Sequence, residues 1–143
     1  MAEPVHKIFR HDIRVPYAHV DQMGVVYYAN YLVYFEMARS EMLREIGMPY
    51  GDLEAQGLRL PVIEVRCEYK TSAHFDDLLT IRTWCEGIKG PRVRLVYEVL
   101  RGEDVVAVGY TIHACVSPEG KVIRPIPELR RLLPDQPAAV PSE

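Results

Sequence analysis

Asp21 is the only acid in the run "YAHVDQMGVVYYANY", residues 17–31, where it stands among apolar and aromatic side chains. A carboxylate so placed suits hydrolytic chemistry, either as a general base toward water or as a nucleophile toward a polarised carbonyl. Asp three residues before Gly24 is also a frequent turn former, so a purely local cap on that turn is the competing role. Just downstream a helical pattern opens near Asn30. The free amides at such a helix start supply positive potential to a developing oxyanion without any charged side chain. Other chemistries find less support. Ser40, Ser72, Ser117 and Ser142 lack a G-x-S-x-G elbow, and no glycine-rich phosphate loop is present. The histidines at 6, 11, 74 and 113 show no metal-ligand spacing, and no metal is expected.

The elements that must carry Asp21 follow from periodicity. Ile8, Arg10, Ile13, Arg14 and Val15 read as a first strand within residues 6–17, leading into the loop at Asp21. Tyr31, Phe35, Ala38, Met42 and Ile46 share one helical face, with Asn30 expected as N-cap and Gly47 as stop. A polar connection containing Gly51 and Gly57 follows, and the period then becomes two. In "VIEVRCEYK" Ile63, Val65, Cys67 and Tyr69 form the expected core face. "LLTIRTWCEGI", "RVRLVYEVLR" and "VVAVGYTIHACV" complete four successive strands, and their short turns predict an antiparallel meander. The fold class is α+β, one long helix lying across a curved antiparallel sheet. One helix cannot cover such a sheet, so open strand edges and the apolar residues Val106, Val108, Tyr110 and Ile112 predict association with a second copy.

Composition sets the outer limits. A chain of 143 residues at 48% hydrophobic fits one domain, read as 1–133, followed by a Pro-rich tail at 134–143 expected to lack order. A formal charge of -3 gives no broad attraction to nucleic acid or anionic membrane. Cys67, Cys85 and Cys115 are scattered and odd in number, which suits a reducing compartment. With no signal-peptide core in the first residues and no membrane-length apolar run, a cytoplasmic location is expected.

The stretch "VDQMGVVYYANYLVYFEMARSEMLREIG" resembles the signature of the hotdog-fold acyl-CoA thioesterases, in the branch of 4-hydroxybenzoyl-CoA thioesterase and the YbgC-like enzymes. Asp21, Gly24, Val25, Val26, Tyr27, Tyr28, Asn30, Tyr31, Ala38 and Arg39 occupy matching places, and "YKTSAHFDDLLTIRTW" and "VSPEGKVIRPIPELRRLL" extend the likeness to about Leu133. The resemblance implies hydrolysis of an acyl-CoA, with Asp21 as general base or nucleophile and the Tyr28 backbone N–H polarising the carbonyl. It implies close approach at Gly24 and substrate contacts at Val25, Asn30 and Tyr31. It also implies homodimers joined edge to edge and paired again into homotetramers. Coenzyme A is then part of the substrate, and no cofactor is expected. Its phosphates call for local cations, for which Lys89, Arg92 and Arg94 of "IKGPRVR" are the candidates. His19 stands where YbgC-like members often have an acid, and Tyr28 where they often have His. Aromatic and short aliphatic acyl groups therefore both stay open, as do an acyl carrier protein substrate and a non-catalytic acyl-CoA-binding protein.

Overall fold

The computed structural model describes residues 7–133. In chain order these form β1 (Phe9–Arg14), a 3-10 turn (Tyr17–His19), α1 (Asn30–Glu45), α2 (Tyr50–Ala55), β2 (Val62–Tyr69), β3 (Leu78–Lys89), β4 (Arg92–Arg101), β5 (Asp104–Ala114) and α3 (Pro127–Leu132). The tail expected at 134–143 lies outside the described residues.

All strands pair antiparallel in one sheet of order β1-β3-β4-β5-β2. The expected meander therefore holds for β3, β4 and β5, which are joined by tight turns at Gly90 and Gly102 with φ of 58° and 61°. It fails for β2, which leaves its sequence neighbour and pairs with β5 at the far edge. The connection from Lys70 to Asp77 is no hairpin turn. It crosses the end of the sheet and on the way pairs His74 with Val25, beside the Asp21 loop.

α1 buries Tyr31, Tyr34, Phe35, Ala38, Met42 and Leu43. Phe35 stacks on Tyr97 of β4 with centroids 4.3 Å apart. A Cβ at Gly109 would sit 2.9 Å from the Phe35 ring and 2.2 Å from the Arg66 carbonyl, so only glycine lets helix and sheet approach there. On β5, of the residues expected to be left open by the helix, Val108, Tyr110 and Ile112 are so, and Val106 is the exception. Ala107, Thr111 and His113 are buried, Val106 is fully buried, and Val108, Tyr110 and Ile112 are only partly covered.

Two other expectations change. Asn30 is the first helical residue rather than the cap, and its Nδ2 donates to the His19 carbonyl at 3.1 Å. On β2, an edge strand of the sheet, Ile63 and Val65 remain 50% and 44% exposed. α2 and α3 were not legible in the sequence, being only six residues each; Leu53 of the one and Leu129 of the other are fully buried.

A polar chain threads the core between α1 and β5. His113 Nδ1 lies 2.9 Å from the Leu60 carbonyl, which only accepts, so in the neutral ring Nδ1 carries the proton. Nε2 then accepts from Thr111 at 2.8 Å, Thr111 Oγ1 accepts from Tyr97 at 2.7 Å, and the Tyr97 hydroxyl accepts from Arg39 at 3.2 Å. Burial pushes His113 from its ordinary 6.5 down to about 4. Between those values the unfolded chain binds a proton that the folded chain refuses, so this contribution is complete above about pH 6.5 and is lost as pH falls toward 4. Its size is about 3 kcal/mol. Urea unfolding at pH 7.5 and pH 5 is expected to show the loss, and His113→Gln to flatten the slope. An unchanged slope in that variant would assign the pH dependence to other groups.

Candidate active site

The Asp21 turn is built by its own backbone and carboxylate together. The Asp21 N–H donates to the Val25 carbonyl at 2.9 Å, and the Gly24 N–H to the Asp21 carbonyl at 2.9 Å. Asp21 Oδ1 accepts the Met23 N–H at 2.8 Å and the Val25 N–H at 3.4 Å. The turn-capping role is thus real, and it occupies one carboxylate oxygen; Oδ2 has no hydrogen-bond partner among the described residues. Gly24 has φ of 80°, and an added Cβ would meet nothing within 4 Å. Glycine is required there for its backbone conformation, and the chain itself does not crowd it.

Two tethers hold this turn to the start of α1. The His19 carbonyl accepts both the Tyr27 N–H, at 2.9 Å, and the Asn30 side-chain amide. Val26 N–H reaches the Ala73 carbonyl at 2.8 Å, which fixes the loop to the β2–β3 crossing. Among the described residues the Tyr28 N–H has no acceptor, and it lies two residues before the first helical position. One half-free carboxylate and one free amide therefore sit on the same short, doubly anchored segment.

The aromatic side chains divide by role. Tyr31 is buried against Tyr34 and Tyr69 and belongs to the core. Tyr27 and Tyr28 are exposed, with ring centroids 4.7 Å apart. Tyr69, which sequence reasoning left among the core residues of its strand, donates its hydroxyl to the Tyr28 carbonyl at 3.1 Å. Partial burial and the Cys67 thiol push that hydroxyl up to about 12, so it stays a donor. Nothing in strand periodicity reveals a contact between positions so far apart in the chain. Likewise, His19 Nδ1 meets the Tyr34 hydroxyl at 2.9 Å, and burial raises Tyr34 to about 12.

The basic residues fall elsewhere. Lys89 and Arg92 face each other at the β3–β4 hairpin, whereas the Asp21 loop lies by the opposite end of β3, where Val15 bonds to Asp77. Twelve residues of strand separate the two ends, roughly 35–40 Å. Arg94 is already engaged, paired with Glu86 at 2.5 Å and stacked 3.9 Å from the Tyr110 ring. Within one chain, then, Asp21, Gly24, Val25, Tyr28, Asn30 and Tyr31 come together and the cations do not. Among the described residues no cluster of three or more His, Cys, Asp or Glu is arranged to hold a metal ion.

Known proteins resemble most of this chain. A family model described as the thioesterase-like superfamily matches residues 15–142. The acyl-CoA thioesterase YbgC of Haemophilus influenzae is 34% identical over 110 residues, covering 76% of this chain and 81% of that protein. The acyl-CoA thioester hydrolase YbgC of Escherichia coli is 30% identical over 122 residues, 85% of this chain and 91% of that one. Among solved structures, a DHNA-CoA thioesterase from Staphylococcus aureus superposes with a TM-score of 0.82 at 29% identity, covering 87% of each chain.

Proposed function

Because the chain belongs to the thioesterase-like superfamily and has its hotdog fold, we propose that it hydrolyses short aliphatic or aromatic acyl-CoA thioesters to the carboxylic acid and free coenzyme A. The observation that carries this reading is the Asp21 carboxylate, one oxygen holding its turn and the other free, on the segment that also presents the unpaired Tyr28 N–H. The thioester carbonyl oxygen accepts from the Tyr28 N–H, which favours the negative charge that develops on it. Asp21 then either takes a proton from an attacking water or attacks the carbonyl itself to give an anhydride that water opens. Both routes release the thiol, consume one water and need no cofactor. Turnover of the same acyl group on coenzyme A and on acyl carrier protein identifies the carrier; faster turnover on the protein carrier would overturn the coenzyme A assignment.

The active form in this reading is a homodimer joined along β2 and paired again into a homotetramer. Of the two sheet edges, β1 carries Arg10, His11, Asp12 and Arg14, while β2 alternates Glu64, Arg66 and Glu68 with the exposed apolar residues Ile63, Val65 and Tyr69. An open edge strand with an exposed apolar face is a template for pairing with another chain. Two-fold pairing also brings the partner's β3–β4 hairpin toward the Asp21 end, so Lys89 and Arg92 meet the coenzyme A phosphates of the other protomer's substrate. Replacing Lys89, Arg92 and Arg94 together by Ala is expected to raise KM for CoA thioesters with little change in kcat, and to have a much smaller effect on pantetheine thioesters. Equal losses on both substrates would remove the phosphate role.

A further inference from the structure

A cavity of about 310 Å³ opens beside the second half of α1, walled by Leu43, Tyr50 of α2, and Leu60 and Val62 at the entry to β2. That volume is at the lower end of the range for small-ligand pockets. Arg39 lines it and donates once, to the Tyr97 hydroxyl, leaving its other four N–H groups without a protein acceptor among the described residues. The ordered chain through Thr111 to His113 holds that hydroxyl as an acceptor and so holds the guanidinium in place. A fixed guanidinium in a cavity walled by Leu43, Tyr50, Leu60, Pro61 and Val62, with Glu36 and Ser40 at its α1 side, matches a ring or short chain that ends in a carboxylate.

α1 runs antiparallel to β2. Tyr31 near its start packs on Tyr69 at the end of the strand with centroids 5.3 Å apart, while Arg39 and Leu43 share the cavity with Leu60 and Val62 at the strand's beginning. Along the helix, Arg39 lies about 13 Å beyond Asn30. Pairing β2 with its copy about a two-fold axis sets the Tyr69 end of one strand against the Val62 end of the other. We propose that the cavity of each protomer receives the acyl group of the thioester held at the partner's Asp21 turn, and that Arg39 selects acyl groups ending in a carboxylate. This rests on the dimer and on the thioesterase reading above, and it adds the class of acyl group and the chain that reads it.

Benzoyl-CoA and 4-carboxybenzoyl-CoA form a matched pair. Arg39→Gln is expected to lower kcat/KM on 4-carboxybenzoyl-CoA about 10-fold or more relative to that on benzoyl-CoA, with a parental circular dichroism spectrum showing that the variant folds. Glu36, exposed and lining the same cavity, opposes the anion, so Glu36→Gln is expected to raise that preference. Mixing Asp21→Asn chains with Arg39→Gln chains then decides which chain reads the acyl group. If Arg39 acts across the interface, each heterodimer has one intact site, and an equal mixture recovers about a quarter of parental activity on 4-carboxybenzoyl-CoA. Heterodimers confirmed by mass with no recovery would overturn the inference and leave the thioesterase reading standing. A preference unmoved by both Arg39→Gln and Glu36→Gln would overturn the carboxylate assignment, and a monomeric protein would overturn the pairing and this inference with it.

Discussion

Asp21→Asn is expected to lower kcat on the best acyl-CoA substrate by on the order of 100-fold or more, with KM and thermal stability close to parental. Asn keeps an oxygen able to accept the Met23 and Val25 N–H groups, so the turn survives, while the base or nucleophile is gone. This separates the turn-capping role of Asp21 seen in the structure from the catalytic role proposed for it. A turn cap alone would leave the rate intact in such a variant. Hydrolysis at near the parental rate would therefore end the proposed mechanism, whatever the fold.

The second large effect concerns β2. Lys at both Ile63 and Val65 places two charges on the exposed face of an edge strand, a device natural sheets use to block pairing. The mass by light scattering is expected to fall to that of one chain, and activity to fall below about a tenth of parental, because in the proposed dimer each site draws on both protomers. Circular dichroism is expected to stay parental, since neither side chain is buried in the single chain. Full activity from a monomeric variant would show that each chain holds a complete site.

Much of the site was legible because it is local. Asp21, Gly24 and the start of α1 lie close together in the chain, and turn chemistry and helical period read that range well. The hairpins of β3, β4 and β5 were legible for the same reason. What escaped depends on contacts between distant segments. Strand period marks β2 as a strand but does not say which neighbour it takes, and the Lys70–Asp77 crossing decides that. On β5 the alternation marked the open face at Val108, Tyr110 and Ile112, but the close packing at Gly109 was not legible because it depends on the Phe35 ring of a distant helix. Arg94 looked free beside Arg92, and the carboxylate of Glu86 claims it. The contact of Tyr69 with Tyr28 and the place of Arg39 in the cavity arise only once the ends of β2 and α1 are set against each other.

The most direct test is thiol release by the purified full chain from a panel of short aliphatic, long aliphatic, phenylacetyl and hydroxybenzoyl CoA thioesters. The expected result is turnover of at least one short aliphatic or aromatic member far above its spontaneous hydrolysis, lost in Asp21→Asn. A folded, dimeric protein that releases thiol from none of them would contradict the central claim.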